Sequence, residues 1–136
     1  MTAKFLSGTA VAQATLNAVQ EKVKILKERG VTPGLGTILV GGDAASAGYV
    51  KKKHETCAQV GIRSFNIEIP EDATQKELMR AIETFNESKD VDSYILQYPL
   101  PKQFDFNQAM AAMLPSKDAD GLQPENLGKL VLQEEG

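Results

Sequence analysis

One stretch decides the fold: Thr37-Ile-Leu-Val-Gly-Gly-Asp43, together with the helical segment that follows it. Thr37 to Val40 is a short, continuous apolar run, which is typical of a strand covered on both faces of a sheet. Gly41-Gly42-Asp43 makes a turn, and Ala44 to Val60 has the pattern of a helix that ends at Gly61. A buried strand that leads directly into a helix predicts a parallel βαβ unit.

Segments of the same two kinds alternate on either side of this unit. The predicted order contains a helix over Thr9–Arg29, a break at Pro33-Gly34-Leu-Gly36, strands over Ser64–Ile69 and Ser93–Gln97, a helix over Thr74–Ser88, a short helix over Phe106–Leu114, a loop over Pro115–Gly121 and a last helix over Pro124–Leu132. Thr74 and Glu77 form a capping box. The alternation predicts an α/β fold, with a small, open, mostly parallel sheet and helices on both faces in three αβα layers.

Length and composition predict one compact domain over residues 1–136. The chain contains 42% hydrophobic and 24% charged residues, which is ordinary for a globular protein. A net charge of −3 and a pI near 5.2 offer no basic surface, so we expect no nucleic-acid partner. No segment approaches ~20 apolar residues, and Met1-Thr-Ala-Lys-Phe-Leu-Ser-Gly8 lacks a signal-peptide pattern. We therefore expect a cytoplasmic protein without membrane contact.

Motifs for metals and nucleotides are incomplete. Cys57 is the single cysteine, which argues for a buried thiol, and the single histidine, His54, is expected at the surface. In Lys117-Asp-Ala-Asp-Gly121 the next ligand position of a calcium loop is occupied by Leu122, so we expect no metal site. The glycines do not complete G-x-G-x-x-G, and no cofactor-binding site is predicted in this chain.

Tyr49 and Lys53 are the first candidates for chemistry. They lie four residues apart on the predicted helix, so an aromatic ring and an amine project from one face, about 5–6 Å apart at Cβ. A flat ligand could stack on the ring while the amine reaches the reacting atom. A lysine partly removed from water can exchange its proton nearer to neutral pH than an exposed one. An ordinary amphipathic surface is the alternative.

Ligands of open parallel sheets bind beyond the carboxyl ends of the strands, and two further polar residues are expected there. Gln97 follows the strand at Ser93, and its amide oxygen could face Lys53 without taking the lysine's proton. Asp120 precedes Gly121 and could pair with adjacent N–H donors of a pterin or guanidine-like ring. The alternatives are a strand-end glutamine bonded to backbone and a loop carboxylate that caps the Pro124 helix.

Four blocks in order along the chain resemble the N-terminal, folate-binding catalytic domain of the bifunctional methylenetetrahydrofolate dehydrogenase/methenyltetrahydrofolate cyclohydrolases. The blocks are Thr32-Pro-Gly-Leu-Gly36 with Ile38-Leu-Val-Gly41, Ser46 to Ile62, Leu96-Gln-Tyr-Pro-Leu-Pro101, and Lys117-Asp-Ala-Asp-Gly-Leu-Gln-Pro-Glu-Asn-Leu-Gly128. The resemblance covers essentially the whole chain.

The resemblance implies a role for each candidate. Tyr49 would stack on the folate, and Lys53 would be the general acid and base of the cyclohydrolase step. Gln97 would tune Lys53, and Asp120 would hold the pterin ring. The remaining substrate-binding residues would shape the pocket; they are Pro99, Leu100, Pro101 and Gly121.

The implied enzyme acts in one-carbon metabolism. It would oxidise 5,10-methylenetetrahydrofolate with NADP to 5,10-methenyltetrahydrofolate and hydrolyse this product to 10-formyltetrahydrofolate. By the same resemblance, an NADP-binding Rossmann domain is expected C-terminal to residues 1–136, and the full-length enzyme would be a homodimer. Two alternatives stay open: a folate-binding or interaction module without catalysis in isolation, and the substrate domain of another two-domain dehydrogenase.

Overall fold

The computed structural model describes residues 6–135, and the predicted order of helices and strands is confirmed in it. The elements are α1 (Thr9–Glu28), β1 (Gly34–Val40), α2 (Ala44–Val60), β2 (Arg63–Ile69), α3 (Gln75–Glu87), β3 (Ser93–Leu96), α4 (Phe106–Ala112), a 3-10 helix (Pro115–Lys117) and α5 (Pro124–Leu132). Residues 1–5, which begin the stretch without a signal-peptide pattern, and Gly136 lie outside the described residues.

The three strands form one parallel sheet in the order β2-β1-β3. Successive side chains of a strand point to opposite faces. On β1, Ile38 and Val40 enter the main core with α3 and α4, whereas Leu39 is buried outside that cluster on the face that α2 covers. Helix α1 contacts α2 from outside. The predicted three-layer α/β fold is therefore confirmed.

The strand β1 begins at Gly34, so the predicted break at Pro33-Gly34-Leu-Gly36 is wrong in part. A Cβ atom at Gly36 would lie 2.8 Å from a ring carbon of Phe85 and 2.8 Å from Cβ of Tyr94, and one at Gly34 would overlap the carbonyl oxygen of Asp90. These glycines let neighbouring groups approach the strand, and this requirement outweighs the usual role of glycine as a breaker.

The helix ends follow local capping. The capping box of α3 is confirmed, because the backbone N–H of Thr74 donates to Glu77 Oε2 at 2.7 Å and Thr74 Oγ1 accepts from the N–H of Glu77 at 3.4 Å. At the start of α5 the N-cap is the amide of Gln123, which accepts from the N–H of Glu125 at 2.6 Å, and not a loop carboxylate. The predicted plain loop before it contains the 3-10 helix over Pro115–Lys117.

Two residues of α2, Cys57 and His54, lie on its inner face, as predicted for Cys57 but not for His54. Cys57 is buried, and burial raises the pKa of its thiol. His54 is half-buried rather than on the surface, and within residues 6–135 its enclosed Nε2 atom has no hydrogen-bond partner. Its position, four residues after Val50 and three before Cys57, puts it on the same face of the helix as these two buried residues.

None of the helices in the described part is both long and apolar enough to cross a bilayer.

Candidate active site

The candidate site lies at the carboxyl edge of the sheet, where β1 and β3 end side by side. After β1 the chain turns through Gly41, whose φ of 80° is left-handed, and enters α2. Asp43 caps that helix by accepting from the N–H of Ser46 at 2.7 Å. This backbone bond is the main cause that lowers the pKa of the Asp43 carboxyl. The capped turn therefore starts α2 directly after the end of β1.

Lys53 and Gln97 are in direct contact across this edge. Lys53 Nζ donates to Gln97 Oε1 at 3.0 Å, and Gln97 Nε2 donates to the carbonyl oxygen of Tyr98 at 2.9 Å. The second bond orients the amide with its oxygen towards the amine. Both side chains are half-buried. The contact is the one expected from the sequence, and it holds a primary amine beside a neutral acceptor that cannot remove its proton.

The pleat of β3 explains why Gln97 faces Lys53. Tyr94 and Leu96 enter the core beneath α3, so Ile95 points to the opposite face. The backbone N–H of Gln97 donates to the carbonyl oxygen of Ile38 at 2.9 Å, which continues the β1–β3 pairing by one residue. Gln97 therefore shares the face of Ile95, which is the face that α2 covers.

Tyr49 lies one helical turn before Lys53, and 66% of its surface is exposed. Within the described residues its hydroxyl makes no hydrogen bond, so neither burial nor a polar contact restrains the ring. An exposed aromatic ring beside a half-buried amine can take a flat ligand on its face.

The proline turn after β3 forms a wall at the same edge. A cavity of about 380 Å³ lies there, and its lining includes Gly41, Gly42, Asp43, Pro99, Leu100 and Pro101. The Tyr98–Pro99 peptide bond is cis. The ring of Tyr98 packs edge-on against Phe106, with 5.4 Å between centroids, which attaches the turn to α4.

Asp120 follows a single point at which its loop pairs with β3. Asp118 forms a parallel bridge with Tyr94, and the N–H of Ala119 donates to the carbonyl oxygen of Tyr94 at 3.2 Å. Because this bridge is parallel, the chain runs from Asp118 towards the carboxyl end of β3, and it bends at Ala119 and Asp120. Asp120 is exposed, and with Gly121 it lines a separate cavity of about 590 Å³ beside α5. The structure thus brings Lys53 and Gln97 into contact, whereas the side chain of Asp120, in the same described part of the chain, forms no hydrogen bond with either of them.

Asp118 is a residue of this loop whose part the sequence analysis missed. Burial acts to raise the pKa of its carboxyl, but hydrogen bonds from the side chain of Asn126 and from the backbone of Gln123, Leu122 and Gly121 outweigh burial and lower that pKa. The two-residue spacing of the aspartates gave no signal, because residues two apart share a face only in a regular extended segment, and this segment bends at Ala119 and Asp120.

The turn at the start of α2 does not fit the phosphates of a dinucleotide. Such a site needs free N–H groups at a helix N-terminus. The Asp43 carboxylate already accepts the N–H of Ser46, and its negative charge opposes a second anion. Among the described residues there is also no group of three or more His, Cys, Asp or Glu side chains that could hold a metal ion.

The chain matches a known protein family over most of its length. Residues 6–120 match the family model described as tetrahydrofolate dehydrogenase/cyclohydrolase, catalytic domain. The bifunctional protein FolD of Syntrophotalea carbinolica is 61% identical over all 136 residues, which cover 47% of that protein. The chain thus spans about half the length of this curated relative.

Solved structures give the same result. The methylenetetrahydrofolate dehydrogenase-cyclohydrolase of Trypanosoma brucei, solved with NADP cofactor and inhibitor, superposes with a TM-score of 0.94 at 37% identity, over 100% of this chain and 47% of that one. The bifunctional enzyme of Campylobacter jejuni gives 0.92 at 36% identity, over 95% of this chain and 46% of that one. Because one family model matches residues 6–120, which include all three strands of the sheet, the chain belongs to the tetrahydrofolate dehydrogenase/cyclohydrolase family.

Proposed function

We propose that this chain is the folate-binding catalytic domain of an enzyme of one-carbon metabolism that hydrolyses 5,10-methenyltetrahydrofolate to 10-formyltetrahydrofolate. The observation that carries the proposal is the bond from Lys53 Nζ to Gln97 Oε1 at 3.0 Å. It holds an amine at the carboxyl edge of the sheet, where ligands of open parallel sheets bind, one turn from the exposed ring of Tyr49. The proposed roles are Tyr49 as the stacking surface, Lys53 as acid and base, Gln97 as its partner and Asp120 as the group that holds the pterin.

The hydrolysis needs one group that both removes and returns a proton. Lys53 as the free amine takes a proton from water while the water oxygen bonds to the methenyl carbon. The resulting ammonium gives that proton to the ring nitrogen as the carbon–nitrogen bond breaks, and the second water proton passes to solvent. Gln97 keeps the amine oriented throughout, because its oxygen accepts from both the charged and the neutral form.

The dehydrogenase step needs a nicotinamide cofactor that accepts a hydride. We propose that in the whole protein a Rossmann domain C-terminal to residues 1–136 binds NADP, which accepts a hydride from 5,10-methylenetetrahydrofolate. The length of the relatives supports this division, since the chain spans 47% of one of them. A homodimer in the cytoplasm completes the proposal, with no nucleic-acid or membrane partner.

The test is hydrolysis by the purified protein and by its Lys53→Met variant. The decay of methenyltetrahydrofolate absorbance should be about 10²–10⁴-fold slower in the variant, which is the range for loss of a general acid or base. Lys52→Met is the matched control. It makes the same change one residue away on α2, at an exposed side chain that forms no hydrogen bond or ion pair within residues 6–135.

The outcomes separate catalysis from binding alone. Near wild-type hydrolysis by Lys53→Met would end the assignment of Lys53. Tight folate binding without any hydrolysis by the unaltered protein would instead favour the module without catalysis.

A further inference from the structure

The segment Lys117–Gly121 has two inward residues before its exposed aspartate. Lys117 Nζ donates to the carbonyl oxygens of Phe85 and Ser88, at 2.8 and 2.6 Å. These oxygens belong to the last turn and the C-cap of α3, where a cation pairs favourably with the unsatisfied carbonyl groups of the helix. The segment is therefore attached to the core immediately before Asp118.

Asp118 uses both of its oxygens inside the loop. Oδ1 accepts from the N–H of Gly121 at 3.0 Å, and Oδ2 accepts from the N–H of Gln123 at 2.8 Å and from Nδ2 of Asn126 at 3.0 Å. Asn126 also donates to the carbonyl oxygen of Pro115 at 2.8 Å, so the start of α5 is tied to the other side of the loop. One carboxylate thus fixes the backbone on the far side of Asp120.

Asp120 itself has no comparable restraint. Its side chain is exposed and forms no hydrogen bond with any residue between 6 and 135. Its position depends on the bridge of Asp118 to Tyr94 before it and on the held amide of Gly121 after it. A loop already ordered before the ligand arrives loses less entropy on binding, which raises affinity.

We propose that Asp118 is a positioning residue that holds Asp120 ready for the paired N–H donors of the pterin ring. The inference rests on the proposed function. Because Asp118 acts on the loop and has no contact with Lys53, it sets the affinity for the folate and not the rate of proton transfer.

The test is Asp118→Asn, which keeps the size of the side chain but turns one acceptor oxygen into a donor that opposes the N–H groups of the loop. For hydrolysis of methenyltetrahydrofolate, we expect this variant to have a KM about tenfold higher than the unaltered protein, which equals about 1.4 kcal/mol. Its kcat should stay within about twofold. Asp92→Asn is the matched control, because Asp92 accepts from the N–H of Gly34 at 2.7 Å at the opposite edge of the sheet. It should leave KM unchanged.

A double-mutant cycle distinguishes positioning from direct contact. If Asp118 acts through Asp120, Asp118→Asn should leave KM unchanged in an Asp120→Ala background. If Asp118→Asn does not fold, Asn126→Ala serves instead. It removes one donor to the carboxylate and should raise KM about threefold.

Each outcome supports or overturns the inference. A KM unchanged in the single variant, or raised equally in both backgrounds, would overturn it while the proposed function stands. Failure of the unaltered protein to hydrolyse the substrate would overturn both.

Discussion

Replacement of Gln97 by glutamate tests how Lys53 is controlled, because the change keeps the length of the side chain and adds a negative charge. In the structure, Gln97 Oε1 accepts from Lys53 Nζ at 3.0 Å, and Nε2 donates to the carbonyl oxygen of Tyr98 at 2.9 Å. Glutamate keeps the acceptor for the amine. It loses the second bond and puts a carboxylate oxygen against a carbonyl oxygen.

The size of the effect follows from the geometry. Two opposite unit charges 4 Å apart attract by about 4 kcal/mol at an effective dielectric constant of about 20. Lys53 and Gln97 are both half-buried, so water screens the pair and reduces the net gain to about 1 kcal/mol. This energy favours the charged ammonium and equals about 0.7 of a pH unit. The rising limb of the pH–rate profile should move up by about 0.7 of a unit, and the rate at neutral pH should fall about fivefold.

The assay follows hydrolysis of methenyltetrahydrofolate over a pH series for the unaltered protein, Gln97→Glu and Gln97→Leu. Leucine removes both hydrogen bonds without adding charge, so the rate should fall about tenfold while the limb does not move to higher pH. Thermal unfolding checks that each variant is folded. A Gln97→Glu limb that stays in place, or that moves to lower pH, would refute the proposed coupling between these side chains.

Three further predictions concern single side chains. Tyr49→Ala should raise KM about tenfold through lost stacking, whereas Tyr49→Phe should leave KM near normal. The melting temperature should not change in either variant, because 66% of the tyrosine is exposed. His54→Leu should raise the melting temperature by about 3 °C, because it removes an enclosed nitrogen that has no hydrogen-bond partner in residues 6–135. A lower melting temperature in calorimetry would contradict this. Because folding lowers the pKa of Asp118, its carboxylate stabilises the fold at pH values above the pKa of the unfolded state, near 3.8. This stabilisation is lost as pH falls through the pKa of the folded state. In urea unfolding the stability advantage over Asp118→Asn should therefore shrink below about pH 4, and an advantage independent of pH would contradict the assignment.

The sequence predicted the order of elements because apolar periodicity is a local signal, but it misplaced the start of β1. Glycine usually interrupts a strand, and only the folded structure shows that Phe85 and Tyr94 occupy the space that a side chain at Gly36 would need. His54 was misplaced for a related reason. Its polarity favoured the surface, whereas its spacing from Val50 and Cys57 puts it on the buried face.

The candidate site was predictable to the extent that its residues share an element or a strand end. Tyr49 and Lys53 are close because of helical spacing, and parallel strands bring the carboxyl ends to one edge. The pairing of Asp118 with Tyr94 joins segments 24 residues apart, and no local pattern encodes it. The bonds that hold the Asp120 loop therefore could not be derived before the structure.

The register of β3 against β1 decides whether the site can form at all. Ile38 lies opposite Leu96, and the next backbone bond, from the N–H of Gln97 to the carbonyl oxygen of Ile38, fixes the side of the sheet on which Gln97 emerges. A slip of one residue would turn that side chain towards α3 and remove the acceptor from Lys53. The same packing that buries Leu96 therefore places the amide of Gln97 beside the amine, which is why the chemical pair can be half-exposed and still well positioned.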